Sequence, residues 1–310
     1  MTIIVAGATG LAGSAIVKAF EAQGQNVVGI NRSVVDLLNS QHTEEFVASI
    51  KPSLIVDAAA KVGGIGANNS YPVEFLADNL TIQANLMKAA HKAGVPSFVF
   101  LGSSCIYPRD CAQPIKEEYL MTGPLEATNS AYAIAKIAGI ELINSYRKEY
   151  GTKWISLMPT NLYGPGDNFE LTASHVLPAL IRRFVEAAES GSSKVILWGS
   201  GSPLREFLYV DDLANAVVVA SEKYDSNLHL NVGSGEDLSI KELAAKVALE
   251  AGFAGDIEWD RSKPDGTPRK VLDITRVKSL GWKPRITLEE GIKTTISWYR
   301  AAVLENAVRK

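Results

Sequence analysis

The sequence predicts an α/β fold, in which a doubly wound parallel sheet is followed by a smaller C-terminal domain of mixed α/β structure. Short apolar runs alternate with longer amphipathic stretches through the first half of the chain, which is typical of parallel strands joined by right-handed helical crossovers. After Pro159, Gly, Pro and Asn accumulate over residues 161–168, which predicts a loop leaving the sheet. We expect a sheet domain over 1–165, with a return segment around 206–233, and a second domain mainly over 166–310.

Each predicted element has its own signal. Apolar runs of strand length lie at 3–6, 26–30, 54–57, 97–101 and 154–157. Stretches with helical spacing of apolar residues lie at 12–23, 73–93 and 131–150. Ser239 with Glu242, and Thr287 with Glu290, have the spacing of capping boxes, and each pair predicts the start of a later helix.

Composition and charge exclude several classes of protein. Of the 310 residues, 46% are hydrophobic and 21% are charged, which is an ordinary globular composition. The net charge of −3 leaves no basic excess for a nucleic-acid backbone or an anionic membrane, and no apolar run reaches the roughly 20 residues of a membrane span. Two cysteines are too few for a disulfide scaffold, and the chain opens on a strand with no charged leader. We therefore expect a cytoplasmic protein.

A glycine-rich segment, residues 7–13 (GATGLAG), joins the first predicted strand to the first predicted helix. In that position glycines allow a tight turn and a close approach of the backbone to a pyrophosphate, whose charge then lies at the helix N-terminus. A turn needed only for packing is the alternative. Because both flanks fit, we predict a Rossmann-type dinucleotide site that includes Gly7, Thr9, Gly10, Leu11 and Gly13.

The end of the second predicted strand bears on the choice between NAD and NADP. An acidic residue at this point normally binds the ribose hydroxyls of adenosine, but this chain has Asn31 and Arg32 after Ile30. An arginine here suits a 2′-phosphate, so the sequence favours NADP(H). A solvated surface arginine is the alternative.

Tyr132 and Lys136 are four residues apart in a predicted helix, so both side chains project from one face. A free tyrosine has a pKa of about 10 and moves protons poorly near neutral pH unless a cation such as a lysine favours its phenolate. A pair on a helix surface is the usual explanation for this spacing. Ser103, however, follows a buried strand, at the edge where open α/β sheets bind ligands. We therefore predict that Ser103 and Tyr132 bind one substrate oxygen beside Lys136.

These motifs and several longer blocks are similar to those of the extended short-chain dehydrogenase/reductases. The blocks are 58–65 (AAAKVGGI), 101–108 (LGSSCIYP), 132–139 (YAIAKIAG), 158–165 (MPTNLYGP), 167–169 (DNF), 173–176 (ASHV), 205–207 (REF) and 263–270 (KPDGTPRK). With the glycine-rich segment they cover nearly the whole chain. Within that family the chain resembles the bifunctional epimerase-reductases that act on GDP-4-keto-6-deoxy-D-mannose.

The resemblance implies a two-stage reaction at one carbonyl group. The two carbons that flank the ketone are inverted, and NADPH then reduces carbon 4. Inversion requires removal of a proton next to the ketone, delivery of another to the opposite face, and donors aimed at the enolate oxygen. The family's acid–base pair maps onto Cys105 and His175, and both side chains can change protonation state with modest tuning. A buried hydrophobe and a structural histidine are the alternatives, and which residue is the base is left open.

The resemblance also assigns binding residues. The substrate pyrophosphate is expected to contact cationic side chains, and the matching substrate positions are Arg183, Arg205, Lys270, Trp198 and Asp265. A solvated helix face is the alternative for Arg183. Cofactor contacts are implied for Arg32, Asp36 and Leu37 near the adenosine, and for Leu101, Ser103, Tyr132, Lys136, Pro159, Asn161, Leu162 and His175 nearer the nicotinamide. Thr9 stands where many bacterial members carry a basic residue, so the preference for NADP depends on Arg32.

Two other functions compete with this interpretation. A 4-epimerase or 4,6-dehydratase acting on another nucleotide sugar shares the fold but lacks the combination of Cys105 and His175, and its closed redox cycle consumes no NADPH. A non-catalytic dinucleotide sensor needs the glycine-rich segment but no proton donor such as Tyr132. The family further implies a homodimer packed through the predicted helices 73–93 and 131–150. The net charge of −3 argues against a nucleic-acid or membrane partner.

Overall fold

The computed structural model describes residues 1–171, 174–263 and 265–308. Ala173 and Pro264, which belong to two of the sequence blocks above, lie outside these residues. The strands are β1 (Thr2–Ala6), β2 (Asn26–Ile30), β3 (Leu54–Asp57), β4 (Ser97–Leu101), β5 (Ile155–Pro159), β6 (Asn161–Tyr163), β7 (Lys194–Trp198), β8 (Leu204–Tyr209), β9 (Leu230–Val232), β10 (Asp237–Ser239), β11 (Asp256–Asp260) and β12 (Arg269–Lys270). The helices are α1 (Leu11–Ala22), α2 (Ser40–Ile50), α3 (Ile65–Ser70), α4 (Pro72–Lys92), α5 (Ser130–Tyr150), α6 (Val176–Glu189), α7 (Val210–Lys223), α8 (Ile240–Ala251), α9 (Thr275–Ser279) and α10 (Leu288–Leu304).

Six strands form the central sheet, in the order β2-β1-β3-β4-β5-β9, and every neighbouring pair is parallel. Strands β3, β4 and β5 are buried along nearly their whole length, as expected where helices cover both faces of a parallel sheet. Helix α1 packs beside α7, while α2, α4 and α5 form a second layer. The predicted doubly wound α/β fold is confirmed.

A second hydrophobic core lies outside the central sheet. It is built from α6, α8 and α10 together with side chains of β7 and β8, and Phe169, Ile181 and Phe184 are completely buried in it. Strand β7 pairs with β11 in parallel, whereas β8 pairs with the antiparallel β10 and the parallel β12. The C-terminal region is therefore of mixed α/β structure, as predicted. Among the described helices, none is both long enough and apolar enough to cross a bilayer.

The prediction of a loop over 161–168 was wrong at its beginning. Asn161–Tyr163 forms the short strand β6, which pairs in parallel with β8 from Phe207 to Tyr209. The partner lies more than forty residues further along the chain, so the local excess of Gly, Pro and Asn could not reveal it. Strand β6 thereby connects the edge of the central sheet to the second region.

The two predicted capping boxes are confirmed. The Ser239 hydroxyl accepts a hydrogen bond from the N–H of Glu242 at 3.1 Å, and Thr287 accepts one from Glu290 at 3.3 Å. Each glutamate carboxylate accepts a bond from the capping residue's own N–H in return, at 2.9 and 3.0 Å. These contacts satisfy N–H groups that the first turns of α8 and α10 otherwise leave unpaired.

Candidate active site

The glycine-rich segment forms the turn between β1 and α1. Gly7 has a φ of +75°, which favours glycine, and its carbonyl accepts a hydrogen bond from the N–H of Gly10 at 2.9 Å. A Cβ on Gly7 would lie 2.7 Å from the carbonyl oxygen of Ala58, and a Cβ on Gly13 would overlap the Gly7 carbonyl. Gly10 is the N-cap of α1, and because it has no side chain, no side chain caps the first turn of the helix. The turn therefore fits a phosphate group bound at the N-terminus of α1.

The end of β2 lies against this turn, because the N–H of Ala8 donates to the carbonyl of Ile30 at 3.0 Å. Thr9 is exposed on the turn, Leu11 begins α1, and Arg32 is exposed two residues beyond the end of β2. The Arg32 guanidinium is thus attached beside the predicted phosphate site and is open to solvent. A 2′-phosphate is a fitting partner for a guanidinium in this position.

The other two residues predicted near the adenosine differ in their surroundings. Asp36 is exposed, and its carboxylate accepts a hydrogen bond from the N–H of Leu38 at 3.0 Å. The Leu37 side chain is buried in the main core, while its carbonyl accepts a bond from Asn85 Nδ2 at 2.9 Å. Any contact of Leu37 with a cofactor therefore involves its backbone, and both assignments stay predictions.

Lys136 is buried beneath the carboxyl edge of the sheet. Only 3% of the residue is exposed, and its ammonium donates a hydrogen bond to the carbonyl of Leu101 at 2.8 Å. The ammonium also lies 4.7 Å from the centroid of the Phe100 ring and 5.9 Å from that of Tyr132. The structure therefore brings Tyr132 and Lys136 together at the end of β4, as the spacing of four residues predicts.

Tyr132 is protonated in the resting protein. Burial raises the pKa of its phenol well above the ordinary value, and the charges of Cys105 and Asp57 raise it further. The ring packs edge-on against Phe75, with centroids 6.3 Å apart and an interplanar angle of 83°. Sequence reasoning expected the lysine to favour the phenolate, whereas in the folded protein desolvation of the phenol is the largest cause of the shift in its pKa. Tyr132 is therefore equipped to donate a proton.

Ser103 and Cys105 lie in one short turn directly after β4. Ser103 is in an extended conformation and its hydroxyl accepts a hydrogen bond from the N–H of Cys105 at 3.3 Å, which starts the 3₁₀ turn Ser104–Ile106. Cys105 is 8% exposed and its thiol is free. Burial raises the pKa of the Cys105 thiol, while the Lys270 ammonium and the hydrogen bond with Ser103 act in the opposite direction. The resting group is a neutral thiol.

His175 occupies the N-cap position of α6, and its carbonyl accepts a hydrogen bond from the N–H of Ala179 at 3.2 Å. The residue is exposed at the surface, and partial desolvation by nearby protein atoms lowers the pKa of the imidazole. His175 is therefore neutral near pH 7 and can accept a proton.

Arg205 and Lys270 form a cationic pair across two strands. They are register partners in β8 and β12, and both are only partly exposed. Burial lowers the pKa of each, and the charge of Cys105 raises that of Lys270. The charges of Cys105 and Lys270 act on each other's pKa, which indicates that the thiol lies near this cationic pair. Two cations with little competition from water suit a pyrophosphate.

The remaining predicted substrate residues lie further out. Arg183 Nη1 donates to the carbonyl of Ile196 at 3.1 Å, and Trp198, on the same strand β7, is 69% exposed. Asp265 accepts hydrogen bonds from the N–H and the hydroxyl of Ser200, at 2.9 and 2.7 Å, and its charge acts on Arg205. Asp265 thus acts on Arg205 through its charge and is bonded to the segment that follows β7, while Arg183 and Trp198 lie on β7 or against it.

Residues predicted near the nicotinamide follow the adjacent strands β4 and β5. Leu101 ends β4, and Pro159 ends β5 as the register partner of Val232. Asn161 Nδ2 donates to the carbonyl of Glu206 at 2.8 Å, and Leu162 pairs with β8. The carboxyl ends of these parallel strands lie at one edge, which is where such sheets bind ligands.

Sequence reasoning missed two charged residues in these surroundings. Asp57 ends β3 with none of its surface exposed, and the Lys263 ammonium lies 5.8 Å from the centroid of the Trp198 ring. Asp57 could have been predicted from the sequence, because it is a carboxylate at the end of the apolar run 54–57 and that end of a strand reaches the ligand-binding edge of the sheet. Lys263 gave no comparable signal.

Comparisons with known proteins place the chain in one family. Residues 3–233 match the model of the NAD dependent epimerase/dehydratase family. A putative GDP-L-fucose synthase 2 from Arabidopsis thaliana is 53% identical over 309 residues, which cover 99% of this chain and 93% of that protein. GDP-L-fucose synthase from Escherichia coli K12 is 48% identical over 317 residues, covering 99% of this chain and 98% of that protein.

Solved structures give the same result. The crystal structure of a GDP-L-fucose synthetase from Naegleria fowleri bound to NADP superimposes with a TM-score of 0.91 at 29% identity, covering 100% of this chain and 96% of that one. Its similarity extends over the central sheet and the second region alike, since the whole chain is covered. The chain belongs to the NAD dependent epimerase/dehydratase family.

Proposed function

We propose that this protein converts GDP-4-keto-6-deoxy-D-mannose to GDP-L-fucose, by inverting carbons 3 and 5 and then reducing the ketone at carbon 4 with NADPH. The observation that carries the proposal is the position of Cys105, in a turn begun by Ser103 at the sheet edge under which Lys136 is buried. A simple reductase needs no thiol there, whereas inversion requires an acid–base group. The likeness to proteins named GDP-L-fucose synthase supports the same function.

NADP(H) is the proposed cofactor. The turn of residues 7–13 fits its pyrophosphate, and Arg32 fits its 2′-phosphate, while Asp36 and Leu37 border the adenosine. Leu101, Pro159, Asn161 and Leu162 lie at the edge where the nicotinamide is expected. When bound, NADPH supplies the hydride that reduces carbon 4 of the sugar.

In the inversion stage the ketone makes the hydrogens on carbons 3 and 5 acidic, because loss of either proton gives an enolate. The hydroxyl groups of Ser103 and Tyr132 bind the enolate oxygen and stabilise its negative charge. We assign proton removal and delivery to Cys105 and His175, on opposite faces of the sugar ring. In the resting protein the imidazole can accept a proton and the thiol can donate one. The Lys270 ammonium stabilises the thiolate whenever Cys105 has lost its proton.

In the reduction stage Tyr132 donates its phenolic proton to the oxygen on carbon 4 as the hydride reaches the carbon, so that the ketone becomes a hydroxyl. The raised pKa of Tyr132 holds the proton until negative charge develops on the substrate oxygen. The Lys136 ammonium then stabilises the phenolate. A proton from solvent restores Tyr132 for the next turnover.

The second region is proposed to bind the nucleotide part of the substrate. Arg205 and Lys270 hold the pyrophosphate, and Asp265, Arg183 and Trp198 extend the site outward along the surface. The separate cores of the two regions support a division into a cofactor domain, 1–165 with 206–233, and a substrate domain formed mainly by 166–310. A cleft between the carboxyl edge of the sheet and the second region is a usual place for such a ligand.

The choice of cofactor gives a first prediction. Replacing Arg32 with Ser is expected to raise the KM for NADPH about 10- to 100-fold, since hydrogen bonds to a charged phosphate contribute about 1.5–3 kcal/mol. The kcat and the KM for NADH should change little. Steady-state kinetics with both cofactors test this, with the exposed Lys18 replaced by Ser as the control. An unchanged KM for NADPH would make Arg32 a solvated surface residue.

We also propose a homodimer formed by α4 and α5. Val73 on α4 and Ile134 on α5 are 75% and 48% exposed, although the two helices pack against each other. Replacing Ile134 with Glu is expected to convert the dimer to monomer at micromolar concentration, as measured by light scattering, because a charge is costly in an apolar interface. The 82% exposed Leu249 on α8 provides the control substitution to Glu. A wild-type protein that is already monomeric contradicts the proposal.

The location follows from the same chemistry. Both cysteines, Cys105 and Cys111, are free thiols, as is usual in a reducing compartment. A catalytic thiol also requires such conditions, because oxidation to a disulfide would consume the thiol. We therefore propose that the protein acts in the cytoplasm.

The direct test is a reaction with purified protein, GDP-4-keto-6-deoxy-D-mannose and NADPH. NADPH absorbance should fall, and chromatography against a reference should identify the product as GDP-L-fucose. Oxidation of NADPH with formation of a 6-deoxysugar whose centres are uninverted identifies a simple 4-reductase, and Cys105 and His175 are then structural. If NADPH is not consumed, the protein is instead a 4-epimerase, a 4,6-dehydratase or another enzyme of the same fold that acts on a different nucleotide sugar.

A further inference from the structure

Asp57 is a buried carboxylate for which the reaction described above has no use. It ends β3, and none of its surface is exposed. In the parallel sheet Asp57 is the register partner of Phe100 in β4, which is in turn the partner of Ser156 in β5. Register partners point to the same face of a sheet. The three side chains therefore form one row on one face.

Lys136 reaches this same row from α5. Its ammonium lies 4.7 Å from the centroid of the Phe100 ring, the middle member of the row. Neighbouring strands are about 4.8 Å apart, and the charges of Asp57 and Lys136 each shift the pKa of the other. The carboxylate and the ammonium therefore lie near one another in one buried layer. Because little water screens charges there, the attraction between them is much stronger than at the surface.

The hydrogen bonds of both groups leave room for this attraction. Asp57 Oδ1 accepts a bond from the N–H of Ala59 at 3.1 Å, whereas Oδ2 accepts none from any residue that the structure describes. The Lys136 ammonium has three donors, and the carbonyl of Leu101 uses one of them. A buried carboxylate with an unpaired oxygen is costly unless a nearby charge compensates it.

We propose that Asp57 is a positioning residue for the reduction: its carboxylate is the buried counter-charge that keeps Lys136 an ammonium beneath Tyr132. This inference rests on the function proposed above for Tyr132 and Lys136. Asp57 touches neither the substrate nor the hydride, and acts only through the two residues that do. It sets the upper limit of the pH range in which the reduction proceeds.

The surroundings of Lys136 support the assignment to Asp57. The titratable groups that act on it are Asp57 from β3, Cys105 from the turn after β4, and Tyr132 from α5 itself. Burial lowers the pKa of Lys136, and the charges of Asp57 and Cys105 raise it. Cys105 is a neutral thiol at rest, so Asp57 supplies the negative charge.

The sign of the effect follows from these charges. Removing the negative charge of Asp57 disfavours the ammonium, so the pKa of Lys136 falls further; it also disfavours the neutral phenol, so the pKa of Tyr132 falls. Burial raises the pKa of Asp57 to about 6, and Lys136 opposes that shift. Below this pH Asp57 is protonated and uncharged, so a neutral replacement changes the pKa of Lys136 little. Above this pH Asp57 is charged, and the effect of the replacement on Lys136 grows.

The test measures Lys136 directly in the full-length protein. Lysine labelled with ¹³C at Cε is titrated by NMR, and the Lys136 signal is identified by its loss in Lys136→Met. In Asp57→Asn, which keeps an acceptor for the N–H of Ala59, the Lys136 midpoint is expected to fall by roughly one pH unit. Ser156→Ala, a neutral change in the same row, should leave it in place. Equal midpoints in wild type and Asp57→Asn overturn the inference.

Two further measurements keep the outcomes separate. If Asp57→Asn does not fold, Asp57→Leu removes the same charge with an apolar side chain that suits a core, and the same shift is expected. In the activity assay, the alkaline limb of the pH–rate profile for NADPH oxidation should move to lower pH by the same amount in Asp57→Asn. The rates of the wild type and the variant should converge below about pH 6. A wild-type protein that oxidises no NADPH contradicts the proposed function, whereas an unchanged limb in an active Asp57→Asn contradicts this inference alone.

Discussion

Replacing Tyr132 with Phe is expected to slow NADPH oxidation in the presence of substrate about a thousandfold, because a positioned general acid contributes on the order of 10²–10⁴ to a rate. The substitution removes only the phenolic oxygen. The ring contact with Phe75 and the position of Lys136 do not depend on that oxygen, so the fold and the affinity for NADPH should be retained. Stopped-flow absorbance with saturating NADPH measures the loss, and cofactor fluorescence measures the binding.

A second tyrosine on the same helix provides the control. Tyr150 lies at the other end of α5 and is 52% exposed, so Tyr150→Phe should keep the wild-type rate. If Tyr132→Phe retains the rate as well, the proton on the carbon-4 oxygen comes from elsewhere. Ser103 is then the first donor to examine, because it lies at the same sheet edge.

Replacing Cys105 with Ser, or His175 with Gln, is expected to slow inversion severely while NADPH still binds. Each side chain is assigned one proton transfer at the carbons that flank the ketone, so each loss should slow exchange of those hydrogens with solvent by on the order of 10²–10⁴. Mass spectrometry of the substrate after incubation in D₂O measures the exchange. Both variants should still reduce the 4-keto sugar whose centres have already been inverted, a substrate on which Tyr132→Phe fails.

The other cysteine allows a matched comparison. Cys111 is also a free thiol but is less buried than Cys105, and Cys111→Ser should exchange deuterium at the wild-type rate. Deuterium uptake that is undiminished in both Cys105→Ser and His175→Gln would contradict the assignment of these residues as the acid–base pair. Uptake lost in only one variant assigns the removal of the exchanging proton to that residue.

Much of the central sheet could be predicted because its signals are local. The helix predicted at 131–150 is Ser130–Tyr150, and the one predicted at 73–93 is Pro72–Lys92. Their apolar residues recur at helical spacing, and the strands between them are apolar along their length because helices cover both faces of the sheet. The capping boxes at Ser239 and Thr287 are local in the same sense.

The second region could not be predicted in the same detail, because its order depends on distant partners. Strand β6 pairs with β8, and β7 pairs with β11, whose residues are about sixty positions away. Single short strands such as Asn161–Tyr163 carry no distinct pattern of their own. Their pairing follows from the folded core and not from any local spacing.

The candidate site shows the same division. The turn of residues 7–13, the spacing of Tyr132 and Lys136, and the position of Ser103 after a strand all have local signals. The protonation states do not, because burial decides them: it raises the pKa of Tyr132 and of Cys105, and it lowers that of His175. The proximity of Asp57 to Lys136 depends on sheet register, which is also a property of the folded chain.

The positions of deuterium in the product show whether one site performs both inversion and reduction. The wild-type protein is allowed to turn over GDP-4-keto-6-deoxy-D-mannose in D₂O with unlabelled NADPH, and the product is examined by proton NMR. We expect GDP-L-fucose with deuterium at carbons 3 and 5 and protium at carbon 4. A reduced product that keeps protium at carbons 3 and 5 would show that this site only reduces the ketone, and would contradict the assignment of inversion to it.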